Sequence, residues 1–292
     1  MRPEKSTKPL HTIAISDPAD PRIEPYRALP ENRLPSPTPA APHGLFIAEG
    51  EKVVRRFAEG GSRFGLASVL LAEARLERDR RWLADLPSGT PIYTASRAVM
   101  DAVVGFPIHR GVLAAGLRRP NESVTGLLKG AQTAFVLEGL ANHDNVGGIL
   151  RVAAALGRKA VVLLDPTSCD PLYRKAIRVS MGHALAVPFT RLEDGPSGVR
   201  ALRHAGFETA ALSLDRDAVP MHDWRPTSDR VAWLLGSEGA GLTDAAAAAA
   251  DRTVRIEIEE GIDSLNVVTA AAIAMHGTRS LLKRPYDASE GA

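Results

Sequence analysis

The chain has 292 residues, 45% of them apolar and 24% charged, a composition that excludes fibrous, collagen-like and wholly disordered proteins. Lys and Arg together number 36 against 34 Asp and Glu, for a net charge of +2, so the whole molecule carries no polyanion-binding signature. The charge is uneven: residues 1–120 hold 18 basic and 13 acidic groups, and residues 121–292 hold 18 and 21, a basic bias in the front part.

Residues 1–43 contain ten of the 21 prolines. Proline interrupts helical and strand periods and removes backbone donors, so this segment is expected to be an arm outside the core. Pro35 to Pro39 should be extended, with Ile23, Tyr26 and Leu29 pinning the earlier part to a neighbour. Residues 44–117 alternate short apolar runs with helical patterns: Leu45–Ala48, Lys52–Ala58, Leu66–Leu71, Leu76–Leu86, Ile92–Tyr93, Val99–Val104 and Val112–Ala115. That alternation predicts a small α/β domain. The charged, turn-rich run Arg118–Ser123 opens a linker over residues 118–130.

Residues 131–292 repeat the rhythm with longer elements. Strands are expected at Ala134–Leu137, Ala160–Leu164, Ala184–Val187, Glu208–Leu212, Val231–Leu235 and Val254–Ile258. Helices are expected at Val146–Leu156, Leu172–Val179, Gly198–Ala205, Thr243–Ala249 and Ser264–Leu282. This βα alternation predicts a mainly parallel sheet covered on both faces, with ligands at the carboxyl ends of its strands.

Three loops after these strands carry polar residues that a plain connection does not need. In Glu138–Arg151, Asn145 is placed to cap the helix, and Arg151, nearly two turns on, is expected close to the same face. In Leu235–Leu242 the glycine order is GxxGxG, which matches neither a dinucleotide fingerprint nor a serine nucleophile elbow. Its glycines permit close backbone approach to a ligand, and Glu238 stands just past a buried strand, where a carboxylate needs a partner. In Glu257–Val267, Ser264 and Asn266 lie at a helix start, where free backbone donors hold anions or polar cofactor groups. Ser264 also reads as a plain N-cap, whereas Asn266 inside a first turn is harder to explain by propensity.

Other chemistry is thin. Cys169 is the single cysteine, which excludes an internal disulfide framework and a multi-cysteine zinc site and suits a reducing compartment. The eight histidines, His143, His183 and His276 among them, show no metal-ligand spacing, so no metal is expected. No Walker A sequence is present, and Ala245–Ala250 reads as a close-packing helix. No run approaches 18 consecutive apolar residues, and Ile13–Ile15 is too short for a signal core, so a cytoplasmic protein without membrane association is expected.

Taken in order, Asn145–Arg151, Leu235–Gly239 with Gly241–Leu242, and Ser264–Val267 resemble the three signature motifs of the SpoU (TrmH) family of RNA ribose 2′-O-methyltransferases in the SPOUT superfamily. Tyr173–Gly182 is similar to that family's connecting segment. Phe46–Gly50 and Gly105–Ala114 are similar to the L30e-like substrate-binding domain often fused to it. Residues 44–284 carry the resemblance. His143 stands where the family commonly has proline, Ser237 where it often has asparagine, and Glu257 where a proline usually follows the apolar residue that enters the third motif.

The resemblance implies a SPOUT domain with a deep trefoil knot, an exception to the usual absence of knots, preceded by an L30e-like RNA-binding domain. It also implies S-adenosylmethionine as cofactor, ribosomal or transfer RNA as partner and a homodimer with sites near the interface. Leu235, Gly236, Ser237, Gly239, Ile256, Ile258, Ser264 and Leu265 carry over as cofactor-binding residues. Asn145, Arg151, Glu238, Ser264 and Asn266 carry over as catalytic ones. Arg151, a poor proton acceptor as a guanidinium, is expected to stabilise the developing alkoxide, with Glu238 holding it and Asn145 orienting either Arg151 or the ribose. Arg55, Arg56, Arg63, Arg75, Arg78, Arg80, Arg81, Arg97, Arg110, Arg118 and Arg119 are the candidates for phosphate contact. Two other readings stand beside this one: a non-catalytic RNA-binding or assembly protein on the same fold, and a different α/β nucleotide-binding enzyme. The glycine order and the missing phosphate-loop lysine disfavour the latter.

Overall fold

The computed structural model describes residues 10–27, 37–108 and 111–282. Leu29, Pro35, Ser36, His109 and Arg110 lie outside them. The chain divides into two units, residues 1–120 with 170–186, and residues 121–169 with 187–292.

The first unit is built on a five-stranded sheet of β1 (Thr12–Ile15), β2 (Leu45–Glu49), β3 (Gly65–Ala72), β4 (Ile92–Ala95) and β5 (Val112–Leu117), in the order β1-β4-β3-β5-β2. β1, β4 and β3 run parallel, and β5 is antiparallel to β3 and β2. Helices α1 (Glu51–Ala58), α2 (Leu76–Leu83) and α3 (Arg97–Val104) connect the strands. Ser96 caps α3 by accepting from Val99 N, and Gly105 ends it at φ 83°, where glycine carries no Cβ penalty.

The proline-rich segment is not simply an arm. Thr12–Ile15 holds no proline and adds an edge strand beside β4. Ile23 and Tyr26 are fully buried in a 3-10 turn, Pro21–Tyr26, whose first residue tolerates proline because its N–H has no partner to lose. The buried Tyr26 hydroxyl meets Ser68 Oγ at 2.7 Å and accepts from Ala115 N at 3.1 Å.

The second unit holds a seven-stranded sheet in which every pair is parallel. After α4 (Val124–Leu128) come β6 (Thr133–Leu137), α5 (His143–Leu156) and β7 (Val161–Leu164). Helix α6 (Arg174–Val179) follows in sequence but belongs to the first unit. Then come β8 (Phe189–Arg191), α7 (Gly195–His204), β9 (Glu208–Leu212), β10 (Val219–Pro220), β11 (Val231–Leu235), α8 (Asp244–Ala249), β12 (Arg252–Arg255) and α9 (Val267–Leu281). The order is β10-β12-β9-β11-β6-β7-β8. β6, β7 and β11 are buried at every residue, as continuous apolar runs must be when helices cover both faces. Trp233 of β11 is fully buried, and its Nε1 donates to Thr278 Oγ1 of α9 at 3.0 Å. A Cβ on Gly148 of α5 would stand 2.7 Å from Val268 of α9, so glycine lets these two helices meet closely.

The segment 170–186 joins the first unit through polar groups. Arg174, 6% exposed, pairs with buried Glu49 at 2.7 Å and lies 4.8 Å over the Phe106 ring. Arg178 reaches the same carboxylate at 3.3 Å, Arg118 pairs with Asp170 at 2.9 Å, and Arg63 N donates to Leu185 O at 2.8 Å. The expected strand at Ala184–Val187 is absent. Gly182 at φ 78° and the Ser180 hydroxyl, which accepts from Ala184 N, turn the chain into a 3-10 turn at His183–Leu185, and the strand forms only at Phe189–Arg191.

A Cβ on Gly116 of β5 would stand 2.1 Å from Phe46 Cζ, whereas nothing lies within 4 Å at Gly130. Phe46 is fully buried and has no room to yield. Gly116→Ala is expected to cost about 1–3 kcal/mol in urea unfolding, with Gly130→Ala within about 1 kcal/mol of the parent; equal midpoints for the two variants contradict this packing.

Candidate functional site

β11 lies between β9 and β6, with Leu235 opposite Leu137, so the loops leaving β6 and β11 start side by side at the carboxyl edge of the sheet. Parallel α/β sheets present their ligand sites at this edge.

The first loop is fixed from below. Gly139, at φ 71°, donates its N–H to Asp165 Oδ1 at 3.1 Å, and Leu140 N donates to Ser168 Oγ at 3.1 Å. Burial alone pushes the Asp165 carboxyl up, but hydrogen bonds from Ser168, Thr167 and Gly139 outweigh it and hold the group below its ordinary range. Asn142, not Asn145, caps α5, accepting from Asp144 N at 2.9 Å. Asn145 therefore sits inside the first turn, 5% exposed, with its amide released from capping.

The second loop is a tight hairpin in which Ser237 and Gly241 exchange both backbone hydrogen bonds, at 3.1 and 3.0 Å. A Cβ on Gly236 would stand 2.1 Å from the Gly241 carbonyl carbon, so no other residue fits there. The third loop runs from β12 to α9. Asn266 is the N-cap of α9, its Oδ1 accepting from Val268 N at 2.9 Å. Ser264 lies two residues before the cap, and the expected Ser264 start moves to Val267.

Asn266 also joins the three loops. Its Nδ2 donates to Glu238 Oε1 at 2.8 Å and to Asn145 Oδ1 at 3.2 Å. Asparagine is suited to this position because its oxygen caps the helix while its NH2 supplies two donors. The partner of Glu238 is thus Asn266, not Arg151. Arg151 is exposed, and six residues of α-helix leave it about 120° around α5 from Asn145; among the described residues it makes no hydrogen bond or ion pair.

A cleft of about 660 Å³ opens beside this junction, within the size range of small-molecule sites. Leu235, Gly236, Ser237, Gly239, Ile256, Ile258, Ser264 and Leu265 line it, as does Glu238. Asn145 and Asn266 stand next to it through Glu238, and Arg151 is not brought in. Ser213, Leu214 and Asp215, after β9, also line the cleft and escaped the sequence reading. Only the strand order, which seats β9 next to β11, signals them. Among the described residues no three His, Cys, Asp or Glu side chains are grouped to hold a metal ion, and no helix is long and apolar enough to cross a membrane.

Residues 132–276 match the model of the SpoU rRNA Methylase family. An uncharacterized tRNA/rRNA methyltransferase of Mycobacterium tuberculosis is 44% identical over 267 residues, 90% of each chain. The chain belongs to the SpoU rRNA methylase family. The chain is also similar to the 23S rRNA (guanosine(2553)-2′-O)-methyltransferase RlmP of Bacillus subtilis, 28% identical over 80% of this chain and 88% of that one. The fold matches that of an AdoMet-bound rRNA methyltransferase of Sinorhizobium meliloti, with TM-score 0.76, 22% identity and coverage of 94% of this chain and 99% of that one.

The departures from the SpoU pattern have local explanations. His143 is the first residue of α5, a position where proline is favoured but not required. Ser237 contributes its backbone to the hairpin. Glu257 is held between His222 Nδ1 at 2.6 Å and Arg255 Nη1 at 3.6 Å, so side chains position the stretch that proline would otherwise stiffen.

The two duties of Asn266 are separable. Asn266→Ala is expected to lower unfolding stability by about 1 kcal/mol through the lost cap, and Asn266→Ser to recover most of it. Both lose the bridge to Glu238 and Asn145, so both should be inactive. An active Asn266→Ser contradicts the bridge.

Proposed function

We propose that this chain transfers a methyl group from S-adenosylmethionine to a ribose 2′-hydroxyl of structured ribosomal or transfer RNA, in the cytoplasm and as a homodimer. One observation carries the reading beyond family membership. Among the described residues, the ionisable ones lining the cleft are Asp215, Glu238, Asp244 and Asp263, with no Lys, Arg or His. Such a lining suits a donor with a sulfonium and an ammonium and disfavours a nucleotide phosphate. Leu235, Ile256, Ile258 and Leu265 offer apolar surface to a flat adenine, while Gly236, Ser237 and Gly239 present backbone groups. When bound, the donor supplies an electrophilic methyl group.

The protein's own contribution is orientation and charge. Glu238, Asn266 and Asn145 form a fixed polar row at the cleft, placed to orient the nucleotide with Ser264. A guanidinium is a poor proton acceptor, so Arg151 acts as an electrostatic stabiliser of the forming alkoxide; the proton leaves to water, phosphate or Glu238. Because Arg151 is exposed and lies about 120° around α5 from its own Asn145, we assign it to the site of a second copy. Ile273 and Leu281, 40% and 39% exposed on α9, supply apolar surface for that pairing. The knot and the L30e-like character of the first unit belong to the same proposal.

For RNA capture the arginine set narrows. Arg75 is engaged by Glu51 and Asp79, Arg118 by Asp170, and Arg56 by Met181 O and His183, so these brace the first unit. Arg81 is exposed and makes no hydrogen bond or ion pair among the described residues. Arg80 holds an exposed ion pair with Glu77, and Arg97 a long one of 3.9 Å with half-buried Asp101; such pairs are easily exchanged for phosphate.

Ribose-methylation mapping of total RNA with and without the gene names the substrate. With that RNA in hand, Arg151→Ala should lower turnover by about 100- to 1,000-fold and leave donor affinity unchanged. Mixing Arg151→Ala with Glu238→Gln should restore roughly a quarter of wild-type activity, since half of random dimers are mixed and each holds one intact site. Failure to restore activity returns Arg151 to its own chain.

A further inference from the structure

Glu138 is the first residue past β6 and has no part in the chemistry above. Its backbone N donates to Leu235 O at 3.0 Å, which sets it beside the start of the second loop. Its side chain reaches that loop's far end: Thr243 donates its N–H to Oε2 at 2.8 Å and its hydroxyl to Oε1 at 3.0 Å. The hairpin bearing Glu238 is thereby held at both ends, by the strand at Leu235 and by a two-oxygen clamp at Thr243. A carboxylate is suited to this task because it offers two acceptor oxygens to two donors of one residue.

The carboxylate has little freedom. A Cβ on Gly195, the first residue of α7, would come within 2.8 Å of Glu138 Oε1, so the backbone of α7 backs the clamp and glycine leaves room for it. We infer that Glu138 is a positioning residue for the donor site: by clamping Thr243 it holds the Gly236–Leu242 hairpin in the shape that forms one wall of the cleft. This rests on the donor-site reading given above.

The test reads the hairpin and the donor separately, on the full chain. Glu138→Ala should speed amide exchange at Ser237 and Gly241 by about ten-fold or more while Phe135 and Val136 of β6 keep their protection. It should also weaken S-adenosylmethionine binding by about ten-fold in calorimetry. Glu138→Gln, which keeps one oxygen, should stay within about three-fold of wild type. Gly195→Ala, which leaves both clamp residues intact and displaces the carboxylate, should change exchange and affinity in the same direction, and it carries the test should Glu138→Ala not fold. The inference is overturned if Ser237 and Gly241 exchange at wild-type rates in both variants, or if exchange rises evenly through β6 as well. Wild-type protein that binds no S-adenosylmethionine refutes the donor-site reading instead, and the exchange rates still decide the role of Glu138.

Discussion

The pairing of β6 with β11 is the constraint on which the site depends. These strands are distant in sequence, yet their five-residue register brings two loops out at one edge of the sheet. Both strands are buried throughout, so the pairing that brings the loops together is also part of the hydrophobic core. A slip of one residue would turn every side chain to the opposite face and would also separate Glu138 from Leu235. Stability of the core and geometry of the cleft are therefore one requirement.

On that platform small polar groups divide the work. Asn266 caps α9 and donates to Glu238 and Asn145, so helix start and site share one side chain. Asp165 and Ser168 fix the first loop through its backbone, leaving the Asn145 side chain for the junction. Gly236 and Gly241 let the second loop fold back on itself. The acidic cleft and the basic excess of the front part suit the two components of the proposed reaction, a cationic donor and a polyanionic acceptor, which are attracted to different surfaces.

Much of this was legible in the sequence, for physical reasons. Glycine, asparagine and small polar residues after apolar runs mark loops open to close approach; the second and third such loops line the cleft, and the first meets them through Asn145. β9 and β11 begin and end as expected because their apolar runs are bounded by turn residues. Four apolar residues at Ala184–Val187 did not specify a strand, since so short a run fits either structure and the Ser180 hydroxyl decided for a turn. Arg151 does not share the face of Asn145, because six residues fall short of two helical turns. The attachment of residues 170–186 to the first unit runs through pairs such as Arg174–Glu49 and Arg118–Asp170, and nothing local in these residues announces partners so far away in the chain. The same holds for Ser213–Asp215, which border the cleft only by virtue of strand order.

The position of the bound methyl donor decides whether this cleft is the reaction site. A crystal of the full chain with S-adenosylmethionine should place the donor between Leu235–Ser237, Ile256–Ile258 and Leu265, with Asn266 still bridging Glu238 and Asn145. Donor density elsewhere on the protein, or a bound donor with that bridge broken, contradicts it.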